Sequence, residues 1–146
     1  MHQTITVGWR EYVALPELMI SRIKAKVDTG ARTSCLHAFR IEEFYKGQQH
    51  WVRFWIHPNQ KCSDIEVICE AKVKDQRMVR DSGGHEETRY VIESLITLGK
   101  ESWPIEITLT NRENMAFRML LGRTAMHNKL LVNPTKSFLV SLEEQK

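Results

Sequence analysis

The strand-like run Ile23–Val27 delivers a carboxylate, Asp28, straight into Thr29-Gly30-Ala31. A glycine there lets the backbone double back, and the threonine hydroxyl can hydrogen-bond inside the turn. The carboxylate is thereby held at a fixed point on a rigid strand end, placed for proton transfer. Asp-x-Gly is also an ordinary turn, and on this tripeptide alone that plainer reading leads. A second run of the same kind, Asp81-Ser82-Gly83, competes with it, and far down the chain Leu120-Leu121-Gly122-Arg123 joins an apolar strand to a short helix signal.

Other chemistry is harder to build from these residues. Cys35, Cys62 and Cys69 form an odd set without a Cys-x-x-Cys pair, which fits neither a disulfide framework nor a zinc knuckle. Cys35 sits in the apolar alternation Cys35-Leu36-His37-Ala38-Phe39 and reads as a small packed side chain rather than a nucleophile. His85-Glu86-Glu87 lacks a second histidine at the spacing of a zinc-binding helix, and His2, His37, His50, His57 and His127 are scattered, so no metal is expected. The chain also has no glycine-rich phosphate loop ending in Lys-[Ser/Thr], so no nucleotide cofactor is expected either.

The elements that must position Asp28 are strands. At 146 residues the chain has room for one core, and we read residues 1–142 as a single domain with 143–146 as a polar tail. Apolar residues at 42% and charged residues at 27% exclude a disordered chain or a coiled-coil rod, and a net charge of +3 is too small to mark a nucleic-acid binder. β-Branched and aromatic runs separated by Gly, Pro, Asn or charged turns predict a mostly β fold in a small closed or sandwiched sheet. The expected strands are Ile5–Trp9, Arg10–Ala14, Ile20–Val27, Ser34–Arg40, Glu42–Tyr45, Trp51–His57, Ile65–Val73, Met78–Arg80, Thr88–Leu98, Trp103–Thr110, Phe117–Leu121 and Ser137–Leu142. Lys46-Gly47-Gln48 and Leu98-Gly99-Lys100 read as hairpin tips, and Arg123–Asn128 as one short helix. The cysteine usage and the lack of a long apolar run predict a soluble, cytoplasmic protein with no membrane contact.

Asp-Thr-Gly-Ala followed much later by two aliphatics and a glycine resembles the single-lobe aspartic proteases, the retropepsins. Over nearly the whole chain the likeness narrows to one bacterial family. Val7-Gly8-Trp9-Arg10-Glu11, Lys24–Ser34, Val79–His85, Trp103-Pro104-Ile105-Glu106 and Phe117–Arg123 resemble the retropepsin-like aspartic endopeptidases, some of which are called ATP-dependent zinc proteases. The resemblance implies a single-lobe acid-protease fold, a small closed β-barrel with one short C-terminal helix. It makes Asp28, Thr29 and Gly30 catalytic, with Ala31, Arg32, Leu121, Gly122 and Arg123 supporting the site. Family members often accompany RimK-like ATP-grasp ligases that add glutamates to protein tails, which implies a functional link to such a ligase and a glutamate-extended protein or peptide as substrate.

An aspartic protease needs two carboxylates sharing one proton, because like charges roughly 3 Å apart cannot both ionise. With Asp-Thr-Gly present once, the second carboxylate is expected from a symmetry mate, so the resemblance implies a homodimer. Asp81-Ser82-Gly83 reads as a decoy, since too few residues separate it from Asp28 for a second lobe. Its place in the strand order matches the flap of a retropepsin-like lobe, with Arg80, Ser82, Gly83, Gly84 and Arg89 as flap or substrate-binding residues, and a plain exposed loop is the alternative. Lys26, Arg32, Arg80, Arg89 and Arg123 can line a cleft for acidic peptides, although a structural role is the plainer account of Arg32 and Arg123. The competing reading is a non-catalytic β-barrel module that binds acidic peptide or nucleic acid through Trp51, Phe54 and Trp55. Core packing of at least two of those three rings is expected, so nucleic acid is the less favoured partner.

Overall fold

The computed structural model describes residues 4–58, 66–80, 83–111 and 117–140. The chain runs β1 (Ile5–Val7), β2 (Arg10–Leu15), a 3-10 turn (Pro16–Leu18), β3 (Ile20–Val27), β4 (Ser34–His37), β5 (Arg40–Lys46), β6 (Gln49–Ile56), β7 (Val67–Lys72), β8 (Asp75–Arg80), β9 (Glu86–Leu98), β10 (Glu101–Thr110), β11 (Met119–Leu121), α1 (Arg123–Met126) and β12 (Leu130–Val132). Among the described residues the fold is mostly β with one short helix, as the strand-rich sequence requires.

The larger sheet has the order β10-β4-β11-β3-β2-β9-β8, and β9 pairs again with β10, so six strands return on themselves in a ring with β8 outside it. Closure is uneven. β9 and β10 share a long ladder from Leu98↔Glu101 to Val91↔Thr108, whereas β2 and β9 meet at one pair, Ala14↔Thr97. Where β2 leaves β3 its register shifts between Val13 and Leu15, which bends the strand toward β9. Leu15, Ile20, Ile23, Leu36, Ile92, Ile96, Leu98, Ile107, Leu109 and Met119 fill the interior. Alternation along β10 places Trp103, Ile105, Ile107 and Leu109 inside with Glu106 outside, as expected from a strand with one dry side. Near its end Thr108 and Thr110 are buried as well, because β4 packs alongside.

β5, β6 and β7 make a separate three-stranded antiparallel sheet, and β1 pairs in parallel with β12. The β5–β6 and β9–β10 hairpins turn at Gly47 and Gly99, both at positive φ, where the sequence placed them. Several strand ends shift by a few residues, and two differences go further. The run Leu130–Val132 becomes a strand because β1 is available beside it, a contact no local signal announces. Conversely, residues 137–140 form no strand: the Leu139 and Val140 N–H groups donate to the Glu11 carboxylate instead of to a neighbouring strand. Among the described residues no helix is long and apolar enough to cross a membrane.

Candidate active site

β3 ends at Val27 and hands the chain to Asp28. The two successive N–H groups there point opposite ways: Val27 donates to the Trp9 carbonyl at 2.8 Å and Asp28 to the Leu121 carbonyl at 2.9 Å. The turn then closes on itself, with Ala31 N–H on the Asp28 carbonyl at 3.2 Å and Gly30 N–H on Asp28 Oδ1 at 3.0 Å. That last bond makes the orientation of the carboxylate a property of the turn. Asp28 is half-buried, while Thr29 and Gly30 are exposed, so the site opens outward.

The remaining carbonyls of the turn are met by the Leu121-Gly122-Arg123 segment. Arg123 N–H donates to Ala31 O at 2.8 Å and Thr124 N–H to Arg32 O at 3.0 Å, so the unpaired first N–H groups of α1 are spent on the turn. The Arg123 guanidinium reaches Thr29 O and Gly30 O, each at 3.3 Å, which gives this residue the structural role expected of it. Gly122 is where the two segments touch. A Cβ there would lie 2.5 Å from the Thr33 carbonyl carbon, so only glycine fits. Its N–H donates to the buried Ser34 hydroxyl at 3.0 Å. Trp103 Nε1–H, donating to Ala125 O at 2.9 Å, seats α1 on β10. Ser34 and Trp9 are supporting residues that sequence reasoning missed. Trp9 acts through its backbone carbonyl, which no residue type signals.

β8 and β9 pair from Asp75↔Val91 to Arg80↔Glu86, forming the hairpin expected around Gly83 and Gly84. Gly84 is exposed at φ +85 with open space around it. Asp81 and Ser82, of the competing Asp81-Ser82-Gly83 run, lie outside the described residues. Arg80 is exposed and pairs with Glu86 across the neck of the hairpin at 2.5 Å. Arg89, grouped with the flap from sequence, lies in the body of β9 at 8% exposure. Its Nε donates to Glu87 at 2.7 Å and its Nη1 to Cys35 Sγ at 3.5 Å, so it braces β9 against β4. Arg32 and Lys26 flank the Asp28 turn in exposed positions.

Cys35 and Cys69 are both buried, as expected of packed thiols. Burial pushes the Cys69 thiol up to about 12, and it donates to Leu18 O, so it offers no nucleophile. Cys62 lies outside the described residues. Among those described, no group of three or more His, Cys, Asp or Glu is placed to hold a metal ion. Of the three rings weighed for the binding-module reading, only Phe54 is fully buried. Trp51 and Trp55 are half-buried on the outer face of the three-stranded sheet, with Lys46 3.8 Å from the Trp51 ring centroid and Arg40 4.6 Å from that of Trp55. Core packing therefore takes one ring and not two, because the period of β6 turns Val52, Phe54 and Ile56 inward and its odd positions out.

The RimB-like family, described as retropepsin-like aspartic endopeptidase RimB, matches residues 6–143. The chain belongs to this family. A probable alpha-L-glutamate ligase of Shewanella pealeana is 50% identical over 132 residues, 90% of this chain and 29% of that protein. A protein of the same name from Parasynechococcus marenigrum is 49% identical over 137 residues, 94% of this chain and again 29% of its own length. The chain thus spans under a third of these curated relatives. A crystal structure of a Legionella pneumophila protein of unknown function matches with a TM-score of 0.78 at 26% identity, covering 94% of this chain and 99% of that one. Membership in the RimB-like family accords with the single-lobe reading of the Asp28 motif and its distant Leu-Leu-Gly partner.

Proposed function

We propose that the protein is an aspartic-type endopeptidase in which Asp28 from each of two copies flanks one water. The pair shares a proton; the ionised carboxylate takes a proton from the water as it attacks the scissile carbonyl, and the protonated carboxyl donates toward the carbonyl oxygen. The two sites titrate as a unit, so neither copy has a fixed role. The observation that carries this reading is the Asp28 turn, whose carboxylate is oriented by Gly30 N–H and whose backbone is tied to Leu121, Arg123 and Thr124. A homodimer is required because the chain carries Asp-Thr-Gly once.

The substrate we propose is a glutamate-rich protein tail, in the cytoplasm. Two features support it: exposed Lys26 and Arg32 beside the turn, and relatives named as glutamate ligases in which a segment like this chain makes up under a third of the length. A hydrolase that shortens what a glutamate ligase extends is a coherent pairing. The test is shortening of a glutamate-extended protein tail by the wild-type dimer, followed by mass spectrometry, beside Asp28→Asn. The variant is expected to keep its fold and lose about a thousandfold or more in rate. Undiminished cleavage by that variant, or dimers whose Asp28 turns stand apart, would overturn the proposal.

The half-exposed Trp51 and Trp55 favour one second reading, a module that binds acidic peptide or nucleic acid on the outer face of the three-stranded sheet. It predicts binding lost in Trp51→Ala and Trp55→Ala and unaffected by Asp28→Asn.

A further inference from the structure

Glu11 is 1% exposed, and its carboxylate is surrounded by backbone donors. Gly8 N–H reaches Oε2 at 2.8 Å and Leu139 N–H reaches the same oxygen at 2.7 Å, while Val140 N–H lies 3.2 Å from Oε1. One side chain thus ties the turn between β1 and β2 to a strap formed by residues 133–140.

The strap is closely fitted. A Cβ on Gly8 would lie 2.4 Å from the Lys136 carbonyl oxygen, so the strap crosses directly over that residue. Asn133 N–H donates to Val7 O, Trp9 N–H to Lys136 O, and Phe138 N–H to Arg10 O. Phe138 holds φ +55, a conformation a bulky L-residue keeps only when its surroundings impose it, with its ring stacked on Tyr12 and capped by Arg10.

The residue clamped beneath this strap, Trp9, is the one that meets β3. Lys136 O receives Trp9 N–H, and Trp9 O receives the N–H of Val27, the residue before Asp28. We propose that Glu11 is a positioning residue for the catalytic turn: it holds the strap down on Gly8 and Trp9, and so sets where β3 ends and where the Asp28 carboxylate stands. The inference rests on the reading of Asp28 as catalytic. It also accounts for the Val7-Gly8-Trp9-Arg10-Glu11 run, which the proposed chemistry does not otherwise use.

Glu11→Gln tests this, because it keeps the shape of the side chain but turns an amide N–H₂ against one or more of the backbone donors. Amide hydrogen exchange is measured residue by residue alongside kcat and KM on a glutamate-extended tail. We expect faster exchange at Gly8, Leu139 and Val140 and also at Val27 and Asp28, with Phe54 and Cys69 in the three-stranded sheet unchanged. We expect kcat to fall about ten- to a hundredfold, with KM within twofold, since small misplacements of a reacting group are costly. Faster exchange confined to the strap, a uniform rise across the molecule, or an unchanged kcat in a cleaving enzyme would each overturn the proposal. If the wild type cleaves no tail, the peptidase reading fails, and the exchange pattern alone decides whether Glu11 controls the turn. If Glu11→Gln does not fold, Glu11→Asp, which keeps the charge on a shorter stem, takes its place with the same outcomes.

Discussion

The Asp28 turn and the β8–β9 hairpin are held by different kinds of contact. Around Asp28 the bonds are mostly between main-chain groups: Val27 to Trp9, Asp28 to Leu121, Arg123 to Ala31 and Thr124 to Arg32. Around the hairpin, beyond the backbone ladder that joins β8 to β9, they are ion pairs at or near the surface. Lys74 meets Glu93 and Glu106, Arg77 meets Asp75 and Glu106, and Arg80 meets Glu86. Backbone bonds within a packed seam fix geometry to a few tenths of an ångström and respond little to salt. Exposed ion pairs hold elements together weakly and are screened. The two regions therefore differ in how far salt can loosen them.

The sharpest way to break this comparison is at the seam. Gly122→Ala forces a methyl group against the Thr33 backbone, which has no room to yield without shifting the turn. Denaturant unfolding is expected to show a loss of about 3 kcal/mol, and cleavage should be lost with it. A loss no larger than that of a surface substitution would mean the seam is softer than its main-chain contacts indicate.

Ser34→Ala is gentler. It removes the hydroxyl that receives Gly122 N–H and leaves that buried donor unpaired. A cost of about 1–2 kcal/mol is expected by denaturant unfolding, unchanged between low and high salt. A strong salt dependence would place the turn in the same class as the hairpin.

The smallest effect belongs to the charged flank. Hydrogen bonds from Arg77 and then Lys74 hold the Glu106 carboxyl down at about 2, below its ordinary value of 4.5. A depressed carboxylate contributes stability that is fully present above its unfolded value and is lost as pH falls through its folded value. The contribution should therefore disappear between about pH 4.5 and about 2. Glu106 is partly solvated, so Glu106→Gln is expected to cost about 1 kcal/mol or less at neutral pH, and less still in high salt. Thermal unfolding across that acid range should show a shallower decline in the variant than in the wild type.

Much of this architecture was legible in the residues. The period of β10 announced its dry face and Gly47 and Gly99 announced their hairpins, because turn chemistry and side-chain alternation are local; the association of Asp28-Thr29-Gly30 with Leu121-Gly122-Arg123 came from a family resemblance. The Ser137–Leu142 expectation failed over 137–140 because a buried carboxylate from the other end of the chain took the N–H groups a strand would have offered. Arg89 shows the same limit, for its sequence position near the glycines says nothing of Cys35 on the other side of the sheet.

By itself the sequence determined most of the strands, where the chain must turn and which carboxylate stands at a strand end, since each depends on a few neighbouring residues. Tertiary structure decided that Gly122 has no room for a side chain, that Trp9 supplies a carbonyl to β3 and that Glu11 gathers three backbone donors. Those facts join segments far apart in the chain, and no local propensity records which distant groups will meet when the strands close on one another.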